Sequence, residues 1–335
     1  FDGDLARALW APWCLHAGLG PEAAFSGKMG QVIGFALEAA GAPVVRGGAA
    51  RLAEALIAII AEHGGRVQTG AEVARVTVAR GAATGIQLAS GETVAAKGVL
   101  ASVTPHALYG GLIDAPGRAA DLRRYRYGKG NFQLHFALRG PVGWATAGLE
   151  RVQLLHLTPG LDAVSKAGNE AERGLLPATP TICVGQPCAA DPSRAPEGTS
   201  VLWLQLPEAP RHVTGDAAGE IPVPDSGEWT AALREAYADR VQAILARHIP
   251  GLAERIIARR ALSPADLAAA NVNLVGGDPY GGACTLDQFF AFRPFADTVR
   301  HETGVKGLWH IGASTHPGPG LSGGSGALAA REILG

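Results

Sequence analysis

The sequence lacks the features that mark several large classes of protein. Its 335 residues include one methionine and four cysteines, and the formal net charge is −1. A nearly neutral chain without a run of like charges has no basic surface for nucleic acid, so we expect no nucleic-acid partner. The longest apolar stretch, residues 55–61, is far shorter than the ~20 residues of a membrane-spanning helix. We therefore expect no transmembrane segment.

Metal and disulfide chemistry also find little support in the sequence. The ten histidines show no H-x-x-x-H or similar ligand spacing, so no metal site is expected. Cys183 and Cys188 have the C-x4-C spacing of the redox disulfide in glutathione-reductase-like flavoenzymes. They lie in the middle of the chain, however, on a predicted strand and turn. We expect reduced thiols, the ordinary state of an intracellular chain.

The most informative segment that is present lies near the end of the chain. A short apolar run at Leu308, Trp309 and Ile311 predicts a strand, and residues 327–334 have helical composition. Between them stands a turn rich in glycine, proline and serine. Glycine lets a ligand approach the main chain, and the N–H groups of the helix N-terminus favour an anionic or electron-rich ligand. Residues 318–323 match G-x-G-x-x-G, but no strand and acidic residue follow, so this is not the first turn of a Rossmann unit.

At this point the sequence resembles a known family. Residues 312–323 resemble the C-terminal flavin motif of the phytoene desaturase-like, FAD-dependent oxidoreductases of the amine-oxidase superfamily. Residues 276–294 (Gly-Gly…Gly…Asp-Gln…Arg-Pro) and 191–198 (Asp-Pro-Ser-x-Ala-Pro-x-Gly) are similar to blocks of the branch named pyridine nucleotide-disulfide oxidoreductase domain-containing protein 2. The resemblance implies a mixed α/β fold. In it, a Rossmann-like FAD/NAD(P)-binding domain is interleaved with a substrate domain made of a sheet and helices.

The resemblance also implies how the domains follow one another. Residues 1–45 and 106–270 are expected to form the substrate domain, and residues 46–105 and 271–335 the FAD-binding domain. The family begins with a strand, a G-x-G-x-x-G turn and a helix that hold the FAD pyrophosphate. The nearest string here, residues 18–23, contains Pro21 and reads as a loop. We therefore expect a fragment that lacks the N-terminal FAD βαβ unit, and we expect a cytoplasmic location.

Local patterns predict the individual elements. A helix should follow residues 45–48 and end at Gly64 and Gly65, because Leu52, Leu56 and Ile59 and Ile60 recur at helical spacing. Ser263 and Pro264 are expected to open another helix as N-cap and first residue. A third helix is expected over residues 228–248, with Leu233, Tyr237, Val241, Ile244 and Leu245 inward. Strands are predicted at residues 66–69, 72–79, 86–88, 93–94, 99–102, 131–138, 181–184 and 200–206.

The cofactor that the resemblance implies is FAD, bound non-covalently. Ser314 and Leu321 stand where a tether would be and cannot form the usual thioether or imidazole link. The main chain near Val73 is expected to contact the adenine, and Ser102 to end a strand near the cofactor. The peptide N–H of Leu321 is expected to stabilise negative charge on the flavin. The implied cofactor-binding residues are Val73, Ser102, Gly312, Ala313, Gly318, Gly320, Leu321 and Ser322. Glycine at 318, 320 and 323 is expected to keep side chains away from the ring, and a larger residue at Gly320 is also expected to disfavour a positive φ.

Two further sets of residues are candidate site residues, and the sequence allows two interpretations of the role of each set. His316 lies in the glycine turn, where it either acts on the flavin or substrate or hydrogen-bonds the main chain. Asp287, Gln288 and Arg293 either line the substrate pocket or fix a loop onto the FAD domain.

The resemblance implies an FAD-dependent oxidoreductase of dehydrogenase, desaturase or isomerase type. Hydride would pass to the flavin from a small apolar substrate, isoprenoid- or carotenoid-like in character. One alternative is a flavin amine oxidase, which needs an aromatic pair around the amine that we cannot assign here. Another is a non-catalytic, regulatory relative of the same fold. Peripheral membrane contact and oligomeric state stay open.

Overall fold

The computed structural model describes every residue except Phe1, Asp2, Val299 and Leu321. In the described part the chain forms helices and strands in irregular alternation, joined by short 3₁₀ turns and one π turn. The helices are α1 Asp4–Leu15, α2 Ser26–Ala40, α3 Ala50–Glu62, α4 Pro105–Ala107, α5 Ala119–Arg124, α6 Leu161–Glu172, α7 Ala231–Ala246, α8 Leu252–Arg255, α9 Pro264–Ala270 and α10 Gly324–Leu334. The strands are β1 Val73–Ala79, β2 Ala82–Leu88, β3 Thr93–Ala95, β4 Val99–Ala101, β5 Gly130–Arg139, β6 Leu154–Leu157, β7 Leu175–Leu176, β8 Ile182–Gly185, β9 Thr199–Ala209, β10 Gly215–Asp216, β11 Ile256–Leu262 and β12 Leu308–His310.

The chain divides into two compact units, each made of two segments. The sheet unit comprises Phe1–Val67 and Lys129–Asn271, and the glycine-turn unit comprises Gln68–Gly128 and Val272–Gly335. The division falls at different places from the boundaries that the sequence predicts. Helix α3 groups with the sheet unit, and residues 106–128 group with the glycine-turn unit.

The sheet unit is built on a five-stranded antiparallel sheet in the order β11-β5-β9-β8-β6. Side chains along each strand point alternately to the two faces of the sheet, and one of these faces packs on helix α7. Leu134 on β5 faces Leu204 on β9, and both are fully buried with Tyr237 and Val241 of α7. The predicted strands at 131–138, 181–184 and 200–206 and the helix over 228–248 are therefore confirmed, with Leu233, Tyr237, Val241 and Leu245 buried and Ile244 packed against the same core.

The start of α9 follows from its sequence. The Ser263 hydroxyl accepts from the main-chain N–H of Asp266, and the Asp266 carboxylate accepts in return from the Ser263 N–H at 2.8 Å. Pro264 occupies the first helical position, where a missing N–H costs nothing. The predicted N-cap is confirmed.

The segment around α3 differs from expectation in two respects. The helix forms as predicted, but Leu52, Leu56 and Ile59 are about half exposed, at 43%, 54% and 52%. The helical spacing of these apolar residues therefore predicts the helix correctly, but it does not predict whether their side chains are buried in the described part of the chain. Residues 66–69, predicted as a strand, contain no strand.

The glycine-turn unit contains two small sheets. Strands β1, β2 and β3 form an antiparallel sheet in that order, and β4 and β12 form a parallel pair. The turn between β1 and β2 is tighter than predicted, since β2 begins at Ala82 directly after Arg80 and Gly81. Both residues adopt a positive φ, 52° and 76°, so two residues suffice to reverse the chain.

The core of this unit packs aromatic against aliphatic side chains. It brings together Leu108, Tyr109, Tyr125 and Phe295 beside Leu308 of β12.

No helix among the described residues is long and apolar enough to cross a membrane.

Candidate functional site in the glycine-turn unit

The candidate site begins where two parallel strands end side by side. Strands β4 and β12 pair in register, with Leu308 opposite Val99 and His310 opposite Ala101. Ser102 follows β4, and Gly312 follows β12 after one intervening residue. Ligands of open α/β sheets bind outside the carboxyl ends of parallel strands. The sequence therefore places Ser102 and Gly312 together at the edge of the sheet where a ligand is expected.

Gly312 is required by its conformation and its neighbour. Its φ is 101°, and a Cβ at this position would lie 2.9 Å from the Ser102 Oγ. The Gly312 N–H donates to the Ser325 Oγ at 3.0 Å, and the Ser325 and Thr315 hydroxyls are 2.8 Å apart. The start of the turn is thereby tied to the first turn of α10, while Ala313 and Ser102 stay exposed.

The glycine turn, residues 312–323, leads to a helix N-terminus without a side-chain cap. Helix α10 begins at Gly324, three residues before the segment of helical composition at residues 327–334, and Gly323 is its N-cap with φ 66°. Leu321 lies outside the described residues, so its expected contact with the flavin stays a prediction. Because glycine offers no capping oxygen, the helix N-terminus lacks the usual side-chain acceptor.

Gly318 and Gly320 differ in their φ angles and in the space that the described residues leave for a side chain. Gly318 has φ 117°, and a Cβ there would lie 2.9 Å from the Phe289 ring. Gly320 does not have a left-handed φ, and among the described residues an added Cβ would meet only the Ser322 Oγ, at 3.9 Å. The expectation that a side chain at Gly320 would strain a positive φ is therefore wrong. The described residues themselves do not require glycine at this position.

The Arg293 side chain is hydrogen-bonded to this turn and to the loop before it. Arg293 is fully buried, and its guanidinium donates to the main-chain carbonyls of Ala313 and Ala283, at 2.8 and 3.2 Å, and also to those of Tyr280 and Gly282. A guanidinium has five N–H donors and no acceptor. Since carbonyls take up most of these donors, the contacts favour the loop-fixing interpretation of Arg293 over the pocket-lining one.

Asp278 is a second buried charge in the same block, and sequence reasoning missed it. Its carboxylate accepts from the N–H groups of Gly128, Tyr280 and Gly282, each at 2.8 Å. Burial raises the pKa of Asp278, and these three bonds together with Arg293 act against that rise. The pattern Gly-Gly-Asp-Pro-Tyr-Gly-Gly was the available signal, because an acidic residue among glycines often accepts from a tight loop.

Gly281 and Gly282 allow this loop to approach its neighbours. A Cβ at Gly282, where φ is 147°, would lie 2.1 Å from the Tyr125 hydroxyl. That hydroxyl donates to the Gly281 carbonyl at 2.6 Å, and the Ser314 hydroxyl donates to the same carbonyl at 2.8 Å. Burial raises the pKa of Tyr125 to about 12, so it remains a neutral donor.

Asp287 and Gln288 lie in a loop that is fastened to Arg126. The buried Gln288 amide accepts from the Arg126 N–H at 2.9 Å and donates to the Arg126 carbonyl at 2.8 Å. The exposed Asp287 carboxylate pairs with the Arg126 guanidinium at 2.7 Å. This pairing lowers the pKa of Asp287. These contacts again favour a loop-fixing role.

His316 is held by its main chain and has a ring nitrogen to spare. Its N–H donates to the Arg293 carbonyl at 3.1 Å, and its carbonyl accepts from the His301 Nε2 at 3.0 Å. The His316 Nδ1 is buried and has no hydrogen-bond partner among the described residues. No bond from the His316 Nδ1 to the main chain is present among the described residues, and the two interpretations of the ring stay predictions.

The remaining sequence-predicted residues lie apart from these contacts. Val73 begins β1, half-buried and opposite Leu88. Ser322 is exposed directly before Gly323. All four cysteines are free thiols, with Cys183 buried on β8 and Cys188 in the turn that follows.

Comparison with known proteins finds relatives over most of this chain. No family model matches the chain. It is 26% identical over 314 residues to mouse pyridine nucleotide-disulfide oxidoreductase domain-containing protein 2, covering 87% of this chain and 50% of that protein. It is 27% identical over 297 residues to the neurosporene-forming phytoene desaturase of Cereibacter sphaeroides, covering 86% and 52%. The chain thus spans about half the length of the curated relatives it matches.

A solved structure shows a similar fold. The crystal structure of an oxidoreductase from Methanosarcina mazei matches 100% of this chain and 65% of its own, with 16% identity and a TM-score of 0.59. At this identity the likeness is one of fold alone. The chain is therefore a homologue of the phytoene desaturases and of pyridine nucleotide-disulfide oxidoreductase domain-containing protein 2, with the mixed α/β fold of FAD-dependent oxidoreductases.

Proposed function

We propose that the protein carrying this chain is an FAD-dependent oxidoreductase of the desaturase type, and that its glycine turn contacts the flavin. The observation that carries the proposal is the junction of β4 and β12. Ser102 and Gly312 meet at the carboxyl ends of these parallel strands, and a glycine turn then leads to the N-terminus of α10. Its homology to phytoene desaturases adds the reaction class.

The residues of the turn fit a flavin. Gly320 and Ser322 are exposed, which is compatible with a planar ring beside these two residues. The N-terminus of α10 carries a partial positive charge that stabilises a nearby anion by about 0.3–1 kcal/mol, and more in a buried site. Ser314 is buried and bonded to Gly281, and serine forms no thioether. We infer that FAD binds non-covalently, with the Val73 main chain at the adenine.

When bound, FAD supplies hydride chemistry to such an enzyme. The chain itself then has to position the ring and stabilise charge. Arg293 bonds the loop of residues 276–294 to the Ala313 carbonyl, and Asp278 bonds the same loop to the Gly128 N–H, so these two residues would fix the turn on which the ring would lie. His316 contributes its buried Nδ1 as a polar atom toward flavin or substrate.

The substrate class in this proposal is a small apolar molecule with carotenoid- or isoprenoid-like character. Its support is the homology to desaturases, among them the zeta-carotene-forming enzyme of Myxococcus xanthus, 28% identical over 280 residues. The proposal keeps the predicted cytoplasmic location.

The direct test is the absorption spectrum of the purified full-length protein. A flavoenzyme shows a flavin spectrum, and the flavin passes through a filter after acid denaturation if it is not tethered. A flavin that stays with the polypeptide contradicts the non-covalent claim. Full-length protein that is colourless and takes up no added FAD contradicts the proposal and favours the non-catalytic alternative.

A further inference from the structure

Three possible metal ligands far apart in the sequence meet in the sheet unit. The Nε2 atoms of His16 and His156 are 2.7 Å apart, and the Cys183 Sγ completes a group whose ligand atoms all lie within 4.8 Å of one another. Cys183 is 2% exposed, and both histidines are half-buried. Short-range spacing does not reveal this group, because 140 residues separate the two histidines.

The sheet brings His156 and Cys183 together. They are directly opposite each other on β6 and β8. Their neighbours Leu155, Ile182 and Val184 join the core against α7. Because side chains alternate along a strand, His156 and Cys183 project to the other face.

Helix α1 brings the third ligand to this face. Ala11 and Leu15 of α1 pack against Val164 of α6, and His16 is the C-cap residue of α1. The Trp13 ring lies against both imidazoles, with ring centroids 5.1 Å from His16 and 5.0 Å from His156. The packing of α1 and the aromatic contact hold the two rings in place.

The three atoms are close to the spacing that a bound ion requires. Metal bonds of about 2.0–2.1 Å to nitrogen and about 2.3 Å to sulfur give tetrahedral separations of roughly 3.3 Å between nitrogens and 3.5 Å from nitrogen to sulfur. The two imidazoles would move apart by about 0.6 Å, and the thiol would move inward. Side-chain rotation accommodates shifts of this size without moving a strand.

We propose that His16, His156 and Cys183 bind one thiophilic closed-shell metal ion, Zn²⁺ or Cu⁺. Two neutral imidazoles and a thiolate suit these borderline and soft ions, whereas Mg²⁺ and Ca²⁺ prefer oxygen. Binding replaces the S–H bond of Cys183 by a sulfur–metal bond and releases the thiol proton to solvent.

The ligand atoms leave room for a further ligand in one case and not in the other. Zn²⁺ would take a water as its fourth ligand, whereas Cu⁺ is satisfied by the three protein ligands. His156 also borders a surface cleft of about 500 Å³ together with Thr158, Arg240 and His248. This inference is independent of the flavin proposal, since all three ligands lie in the sheet unit.

The test is metal titration of the chelator-treated full-length protein, with Zn²⁺ and Cu⁺ in separate arms and Co²⁺ as a spectroscopic probe. We expect one equivalent of Zn²⁺ or Cu⁺ to bind, and a sulfur-to-cobalt charge-transfer band to appear with Co²⁺. Cys183→Ser should abolish that band, and both Cys183→Ser and His156→Gln should weaken binding at least about 100-fold, because even residues behind the ligands contribute 10–100-fold.

Cys188→Ser and His135→Gln are the matched controls, one thiol in the next turn and one half-buried histidine on the same sheet. Both should bind metal as the unchanged protein does. Circular dichroism checks that each variant is folded. Absence of stoichiometric binding of either ion, or binding that survives Cys183→Ser in a folded protein, overturns the proposal. In that case the cluster is a hydrogen-bonded pair of histidines beside a buried thiol.

Discussion

Replacing Glu208 by glutamine is expected to stabilise the protein at neutral and alkaline pH. Glu208 lies on β9 and is fully buried, and neither carboxylate oxygen has a hydrogen-bond partner among the described residues. The Tyr237 hydroxyl is buried without a described partner as well. Burial raises the pKa of Glu208 to about 7, and the Thr181 hydroxyl and Lys129 only partly oppose this rise.

The size of the effect follows from the difference in pKa between the folded and unfolded states. The ordinary pKa of this carboxyl, 4.5, and its folded pKa of about 7 correspond to a difference of about 3 kcal/mol between the two states, at 1.36 kcal/mol for each tenfold change in the proton affinity. The folded state holds the proton more tightly. The corresponding stability is therefore fully present below about pH 4.5, declines as the pH rises through about 7, and is lost above it.

Urea unfolding at pH 5, 6, 7 and 8, followed by circular dichroism, measures this dependence. Glu208→Gln should change the free energy of unfolding little at pH 5 and raise it by up to about 3 kcal/mol at pH 8. Glu197→Gln, at an exposed carboxyl, is the matched control and should change stability by less than about 0.5 kcal/mol at every pH. A Glu208→Gln protein that is less stable at pH 8 than at pH 5, relative to the unchanged chain, would refute the reasoning.

Two further predictions concern stability. Gly282→Ala should lower the free energy of unfolding in urea by several kcal/mol, because the new Cβ would lie 2.1 Å from the Tyr125 hydroxyl. Gly304→Ala, where φ is 87° and the added Cβ meets open space, should lower it by only about 1–2 kcal/mol. Equal costs of the two substitutions would contradict the packing argument. Asp216→Asn should cost about 3–5 kcal/mol, since Asp216 and Arg240 are paired with side chains only 2% and 9% exposed. Burial acts to raise the pKa of Asp216, but Arg240 and two main-chain N–H groups outweigh it and hold the pKa at about 2, so this contribution should be lost as the pH falls from about 4 to 2; a pH-independent stability in that range would argue against the pair.

Sequence patterns predicted much of the fold because local physics decides it. The alternation in β5 and β9, the apolar spacing of α7 and the Ser263 cap all depend on neighbours a few residues away. The apolar spacing of α3 predicted its helix equally well. It did not predict exposure of Leu52 and Leu56, because burial depends on what packs against a face.

The candidate site was predictable in its position but not in its contacts. The glycine, proline and serine content of residues 312–323 located the turn. The hydrogen bonds from Arg293 to main-chain carbonyls and the burial of Asp278 depend on how segments far apart in the sequence pack together. The grouping of His16, His156 and Cys183 depends on strand register and on helix packing. Short-range spacing contains neither the strand register nor the helix packing, so the histidine spacing led us to expect no metal site.

The most direct test of the central claim is FAD binding by Gly320→Val compared with Gly117→Val in the full-length protein. Neither glycine has a left-handed φ, and among the described residues an added Cβ meets nothing within 4 Å at Gly117 and only the Ser322 Oγ at Gly320. Both variants should therefore fold. If the glycine turn contacts the flavin, Gly320→Val should weaken FAD binding at least about 100-fold, or about 2.7 kcal/mol, while Gly117→Val binds FAD normally. A folded Gly320→Val protein with unchanged FAD affinity would contradict the account.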